Sequence, residues 1–404
     1  MKEKLKGRNF PNLRFPNYTD EWKERRLEDL GFFIGGGTPD TTNQQFWTGK
    51  IPWISSSDLS VDDIGEIFKT RFINDNAIKS SATKLIPKGG ILMVSRVGIG
   101  KFAVADEDLC TSQDFTNLVT NQNAYFLCYY FSTRSKYFVK LSQGTSIKGF
   151  TIQDIRSSVF PVPTLQEQEN ISSFLSVIDS RIRTQRKIID KLETLMKVSR
   201  RSIFSHQMKF KNAMGNCFPN WNLTALKNVC SIIGGGTPDT QNSEYWNGNI
   251  QWFTPSEIKS NFILKSERTI SELGLKNSSA RILPQGTVLL TTRATIGEAA
   301  IAQEECSTNQ GFQSLIVNEN CHNVFLLYWI KENKFEFIKR ANGSTFPEIS
   351  KSEIKQIKVR IPDLEEQTKI GDFLSSIDEK IETEQNILTQ YELQKKYLLA
   401  NLFV

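Results

Sequence analysis

Apolar residues recur at a 3-4 spacing along two long stretches of the chain. The first runs Leu175, Ile178, Ile182, Gln185, Ile189, Leu192, Met196, Ser199, Ile203. The second runs Leu374, Ile377, Ile381, Glu384, Leu388, Tyr391, Lys395, Leu398, Leu402. This spacing predicts two amphipathic helices with a coiled-coil seam, and Gln185 and Glu384 form one polar layer in it. Lys395 and Glu384 stand where an ideal seam is apolar, which leaves the register open. Each stretch opens on a helix-start signal, Pro163-Thr164-Leu165-Gln166-Glu167-Gln168 and Pro362-Asp363-Leu364-Glu365-Glu366-Gln367. Thr164 and Asp363 are the expected N-caps. Glu167 and Glu366 are placed to reach back and complete a capping box. Helices of about 40 residues are roughly 60 Å long at about 1.5 Å per residue.

The two starts lie 199 positions apart, from Pro163 to Pro362, and the rest of the chain repeats with them. Ile34-Gly35-Gly36-Gly37-Thr38-Pro39-Asp40 returns as Ile233-Gly234-Gly235-Gly236-Thr237-Pro238-Asp239, and Ile51-Pro52-Trp53 as Ile250-Gln251-Trp252. Trp22 and Leu27 answer to Trp221 and Leu226. The offset becomes 197 for Arg96/Arg293, Gly100/Gly297 and Gln113/Gln310, then returns to 199 at Gly144/Gly343. Such slips are loop events. An internal repeat of this length is a duplicated globular unit followed by a helix.

Within each globular part, Gly90 to Arg96 and Gly286 to Arg293 predict buried strands ending in a basic residue. The apolar stretches from Tyr125 to Phe131 and from Phe325 to Ile330 suit packed helices, so the class is α+β. Four segments follow: globular residues 1–162, a helix over 163–208, globular residues 209–361, and a C-terminal helix over 362–404, with 206–220 as the connecting stretch. From Thr164 to Ser205 eight Lys/Arg stand against five Asp/Glu, and from Leu364 to Val404 four against eight. Net charges of +3 and −4 favour pairing of the two helices as an antiparallel rod. The plain alternative is two core helices of separate domains.

Composition narrows the class. No apolar run reaches the ~18 residues of a membrane span, and the basic start lacks the apolar segment of a signal peptide, so a cytoplasmic protein is expected. The six Cys have no C-x-x-C spacing and only two His exist, which points away from zinc, a disulfide framework or His-based chemistry. A net charge of +6 permits nucleic-acid binding.

The Gly-Gly-Gly-Thr-Pro-Asp blocks, with Thr38 and Thr237, lack the Gly-Lys-Ser/Thr of a phosphate loop. They are either a tight turn at a binding surface or a structural turn. Phe33-x-Gly35-x-Gly37 superficially matches a methyltransferase cofactor loop, but its duplicate begins with Ile232 and no Asn-Pro-Pro-aromatic motif accompanies it. Asp239, Glu257 and Lys259 have the order of a metal-dependent nuclease site, whereas the first unit has Asp40, Asp58 and Ser60. After Trp53 come Ser55, Ser57 and Asp58, and after Trp252 come Thr254, Ser256 and Glu257. Small hydroxyls beside an acid contact base edges and phosphates, or simply cap loops. Arg96 and Arg293, near glycine turns, can clamp a phosphate or a guanine edge, or form a structural salt bridge. Lys101, Gln113 and Gln310 join this group of DNA-contact candidates, as do Trp53 and Trp252 themselves. Thr145, Ser146 and Lys148 lie opposite Ser344, Thr345 and Pro347 in a third polar loop. Here the units diverge, and two unlike tips on one scaffold should read two unlike short sequences.

The paired Gly-Gly-Thr-Pro-Asp…Trp blocks and the paired Pro-x-Leu-x-Glu-Gln-x-x-Ile-x-x-Phe-Leu-x-x-Ile-Asp helix starts resemble the specificity subunit of type I restriction–modification systems. The resemblance spans essentially the whole chain. It implies two tandem target-recognition domains, each reading one half of a split double-stranded DNA target. The helices would pair with pseudo-twofold symmetry, set the gap between halves and dock two methyltransferase subunits; motor-nuclease subunits would join the complex. It further implies no catalytic residue and no cofactor in this chain, with S-adenosylmethionine, ATP and Mg used by the partner subunits. The competing class is a fused or stand-alone metal-dependent restriction endonuclease.

Overall fold

The computed structural model describes residues 9–142, 149–343 and 347–404. It divides into two compact units, residues 1–186 with 386–404, and residues 187–385. The sequence segments follow secondary structure, whereas these units follow packing. Each long helix therefore changes unit part-way along.

In the first unit, strands Gly31–Gly35, Thr116–Thr120, Ile91–Met93 and Phe102–Val104 form one antiparallel four-stranded sheet in that order. A second sheet orders Phe72–Ile73, Ile51–Ile54, Leu109–Thr111 and Leu85–Ile86, with its central pair parallel. Strand Lys23–Arg26 pairs with Val159–Val162, so the end of the globular part is tied to its start just before Pro163. The second unit repeats the plan. A five-stranded sheet runs Cys230–Gly234, Phe312–Val317, Val288–Thr291, Ala299–Ala302, Phe262–Ile263. A three-stranded one runs Arg268–Ile270, Trp246–Phe253, Cys306–Thr308, and Asn222–Ala225 pairs with Lys358–Ile361. The apolar stretches predicted as helices are helices, Ala124–Thr133 and Asn323–Glu332, and bury six consecutive side chains each, from Phe126 to Phe131 and from Phe325 to Ile330. The class is α+β, as expected.

The long helices are Leu165–Phe204 and Leu364–Asn401. The predicted seam is their inward face: Leu175, Ile178, Ile182, Gln185, Ile189, Met196, Ser199 and Ile203 are buried on one, Leu374, Ile377, Leu398 and Leu402 on the other. Leu192, Ile381 and Leu388 are half-buried. In the first unit Ile171, Leu175, Ile178 and Ile182 share a core with Trp22, Phe126, Leu398 and Leu402. In the second unit, Met196 and Ile203 share one with Ile370, Leu374, Ile377 and Phe325.

The helix starts differ from the capping boxes expected. The N-cap half is present, with Glu366 N donating to Asp363 Oδ1 at 2.9 Å and Glu167 N to Thr164 Oγ1 at 3.4 Å. The glutamate side chains turn instead toward the globular part. Glu167 takes two bonds from Arg14, at 2.7 and 2.8 Å, and one from Trp22 Nε1 at 3.3 Å. Glu366 takes one from Trp221 Nε1 at 3.1 Å. A buried indole N–H with no other partner outcompetes an N-cap amide near solvent.

Within the first unit the two helices run antiparallel. Asp179 pairs with Lys395 at 2.6 Å and, seven residues on, Arg186 pairs with Glu392 at 2.8 Å. Lys395 is thus a seam residue with a partner, and the register left open by the sequence is set by a buried ion pair. The pair is 3% and 12% exposed. Burial lifts the Asp179 carboxyl above its ordinary value, against the lowering pull of Lys395 and Tyr129. Such a pair specifies geometry more than it stabilises, yet losing one partner strands a buried charge. Lys395→Met should cost about 3–5 kcal/mol in urea unfolding at neutral pH. The loss should shrink as pH falls through the raised Asp179 pKa, since protonation favours the folded state there. Pairing it with Asp179→Leu should recover only part of that loss and stay about 1–3 kcal/mol below the parent, because the buried Tyr129 hydroxyl loses its acceptor.

Candidate nucleic-acid interface

Glycine crowding builds the turn that carries Thr38. A Cβ on Gly36 would meet Ser112 O at 1.9 Å, and one on Gly37 would meet Thr83 N at 2.4 Å. Gly37 N donates to Thr111 O at 2.8 Å, which seats the loop on a buried strand. Trp53, 5% exposed, supports it from below, its Nε1 donating to Gly37 O at 2.9 Å. Trp252 does the same for Gly236 at 2.9 Å and is 4% exposed. Both tryptophans, grouped by sequence with the DNA-contacting residues, are core supports.

Above this base the remaining first-unit candidates converge through hydrogen bonds. Thr38 Oγ1 donates to Gln113 Oε1. The neighbouring Asp114 O accepts from Arg96 N at 3.2 Å and Ser95 N at 2.7 Å, which sets Arg96 beside Gln113. Lys101 Nζ donates to Ser56 O at 3.1 Å. Ser55 caps the short turn at Ser56–Asp58, with Asp58 Oδ2 accepting Ser55 N at 2.7 Å and Ser57 Oγ lying 2.8 Å from Ser55 Oγ. Ser112 N donates to Ile54 O at 2.8 Å and so joins the strand ends before Gln113 and Ser55, which places Thr38, Gln113, Arg96, Lys101, Ser55 and Ser57 on one polar edge.

The second unit has the same edge with a different charge. Thr237 donates to Gln310 Oε1. Thr292 N donates to Gly311 O at 2.8 Å, and Arg293 follows it. Thr254 and Ser256 are 3.0 Å apart in a cap closed by Glu257. Arg293 pairs with Glu348 at 3.0 Å, with both side chains well exposed. An exposed pair of this kind is weak and exchangeable. Arg96 is exposed and has no acidic partner among the described residues. The residue after Arg293, Ala294, adopts φ +49°, a left-handed strain at the turn that presents it. Thr145 and Lys148, with Ser146, and Ser344, with Thr345, lie outside the described residues.

The nuclease arrangement does not assemble. Glu257 Oε2 accepts from Thr254 N at 2.6 Å and its Oε1 from Glu267 N at 2.7 Å, while Asp239 Oδ1 accepts from Gln241 N at 2.9 Å. Among the described residues no group of three or more His, Cys, Asp or Glu is arranged to hold a metal ion. No helix among them is long and apolar enough to cross a membrane.

A family model described as the type I restriction modification DNA specificity domain matches twice, over residues 19–194 and 219–393. The chain belongs to this family. It is a type I specificity subunit with two target-recognition domains in tandem. The MjaIX specificity subunit of Methanocaldococcus jannaschii is 37% identical over 202 residues, 48% of this chain and 46% of that one. The putative MjaX specificity subunit of the same organism is 24% identical over 423 residues, 98% of this chain and 95% of that one. The crystal structure of a type I system S subunit from M. genitalium superposes with a TM-score of 0.65, covering 98% of this chain and 99% of that one. At 16% identity that likeness shows the fold.

Sequence reasoning missed two arginines of this specificity subunit. Arg71 donates to Ser55 Oγ at 2.6 Å and pairs with Asp58. Arg268, 197 positions later, lies over Trp246. The signal was available, since 268 − 71 is the offset that relates Arg96 to Arg293.

The glycine turn gives a discriminating test. Gly35 has nothing within 4 Å of a built Cβ, so Gly35→Ala should change stability by less than about 1 kcal/mol. Gly36→Ala should cost about 1–3 kcal/mol or more through overpacking. Thermal unfolding of the two variants would separate them; equal behaviour would mean the turn is not held by this close approach.

Proposed function

We propose that this specificity subunit reads a split double-stranded DNA target, each globular part contacting one half through the polar edge described above. The observation that carries the reading is one scaffold with two dissimilar edges. Arg96 has no acidic partner among the described residues where Arg293 carries Glu348, and Asp58 with Ser55 stands where Glu257 stands with Thr254. Two readers built alike but chemically distinct suit two unlike half-sites.

Lys and Arg around the edges supply salt-dependent attraction to phosphates, and the arginine, glutamine and hydroxyl groups read base edges in the major groove. The chain itself performs no chemistry in this reading. Val177, Leu195 and Val198 on the first long helix, and Leu393 and Tyr397 on the last, are exposed apolar residues. They suit docking of two methyltransferase subunits along the helices, with motor-nuclease subunits joining through the complex. S-adenosylmethionine, ATP and Mg then belong to those partners, and the assembly works in the cytoplasm.

Arg96→Ala should relax or shift recognition in one half-site only, and Arg293→Ala in the other. Each lost bidentate base contact is worth about 1–3 kcal/mol of discrimination. N6-methyladenine mapping of cells carrying each variant reads this directly. A uniform fall in methylation with both half-sites unchanged would make the two arginines phosphate contacts.

A further inference from the structure

Beside its polar edge the first unit has an open cleft of ≈ 570 Å³ lined by Thr41, Gln44, Trp47, Thr48, Trp53 and Arg71. That is within the ~300–1,000 Å³ of small-molecule sites. Trp47 and Trp53 meet edge to face, with centroids 5.1 Å apart at 84°. The second unit repeats the pair as Trp246 and Trp252, at 5.1 Å and 87°. In both, the first indole donates to an aspartate carbonyl at 3.1 Å, Asp40 or Asp239.

The arginine sits differently in the two. Arg71 lies 4.7 Å over Trp53, drawn there by Ser55 and Asp58. Arg268 lies 3.5 Å from the centroid of Trp246 and 5.9 Å from that of Trp252. The acid accounts for the change. Glu257 is one methylene longer than Asp58 and its Oε1 is taken by Glu267 N at 2.7 Å, so Arg268 is left to lie on the tryptophan. Trp246 is consequently covered, at 8% exposed, whereas Trp47 is only half-buried beside its cleft.

We propose that the cleft at Trp47 takes one nucleobase, unpaired from the DNA being read and stacked on Trp47. The sister unit shows what lies well on this tryptophan, a flat delocalised group. In the first unit Arg71 already places a cation on the wall, which disfavours a second guanidinium from a protein partner. A neutral ring rich in acceptors is favoured instead, and Thr41, Gln44 and Thr48 offer donors and acceptors to its edge. Extruding a base costs least where it is already unpaired, so the site should reveal itself on damaged pairing first.

The inference rests on the DNA-reading function above, and the test separates the two. The full chain is titrated with a duplex carrying its methylated site, and with the same duplex bearing a single-nucleotide bulge at each position in turn. The wild type should bind at least one bulged duplex about tenfold more tightly than the paired one, in the range that base–aromatic stacking supplies. Trp47→Ala should abolish that preference and leave paired-duplex binding intact, and Trp47→Phe should retain most of it. Arg268→Ala, by uncovering Trp246, should create a second favoured bulge in the other half-site. Paired-duplex binding with no bulge preference, or a preference that survives Trp47→Ala, overturns the cleft's role alone. Binding to no duplex overturns the DNA reading along with it. Quenching of tryptophan fluorescence by free deoxynucleoside monophosphates without any bulge preference, or loss of methyltransferase co-purification in Trp47→Ala with DNA binding unchanged, assigns the cleft to another ligand and likewise overturns the proposal.

Discussion

Each long helix is held to its own recognition domain by three polar side chains turned toward it, all buried except the half-buried Asp378. In the first unit Glu167 receives Trp22 Nε1 and Asp179 receives the Tyr129 hydroxyl at 2.5 Å. Between them Gln168 accepts from Asn123 N at 3.1 Å and donates to Pro163 O at 3.0 Å and Gln122 Oε1 at 2.9 Å. The second unit repeats this with Glu366 on Trp221, Gln367 on His322 N and Pro362 O, and Asp378 on Tyr328 at 2.5 Å. Buried polar groups without partners are costly, so each bond can form in one docking geometry only. The apolar residues between them fill the domain core. A domain fixed this way moves with the part of the helix it holds.

The duplicated clamp leaves room for divergence at its edges. Glu167 gains Arg14, whereas Glu366 has no ion pair among the described residues and burial lifts its carboxyl above the ordinary value. Asp179 takes its cation from Lys395 on the last helix, while Asp378 faces Lys331 of its own domain, whose ammonium burial holds below its ordinary value. The same polar position thus pins helix to helix in one unit and helix to domain in the other. At the polar edge the one-methylene difference between Asp58 and Glu257 accompanies the move of an arginine from one tryptophan to its neighbour. Small side-chain changes on a fixed scaffold are enough to make two chemically distinct edges from one.

The duplication, the α+β class, the helices and their buried seam were legible from periodicity and from the recurring motif, because those features depend on local spacing. The partners of Glu167 and Glu366 were not. A capping box is a local expectation, and the tryptophans that displaced it stand 145 residues upstream. Trp53 and Trp252 group in the sequence with the DNA-contact candidates, yet a glycine loop folds over them, which only tertiary packing decides. Arg71 is marked in the sequence only by its repeat at Arg268; its role comes from an acid and a tryptophan brought across a sheet. The division of each long helix between two compact units likewise depends on packing that no linear pattern encodes.

If each globular part is an independent reader, its specificity should travel with it. Replacing residues 27–162 by a second copy of 226–361, between the paired Leu27/Leu226 and Ile361/Val162 positions, tests this. Mapping N6-methyladenine in host cells carrying the exchanged chain should then return targets in which both halves match the half-site of the second unit. Retention of the original first half-site, or methylation at a sequence sharing neither half, would contradict the account.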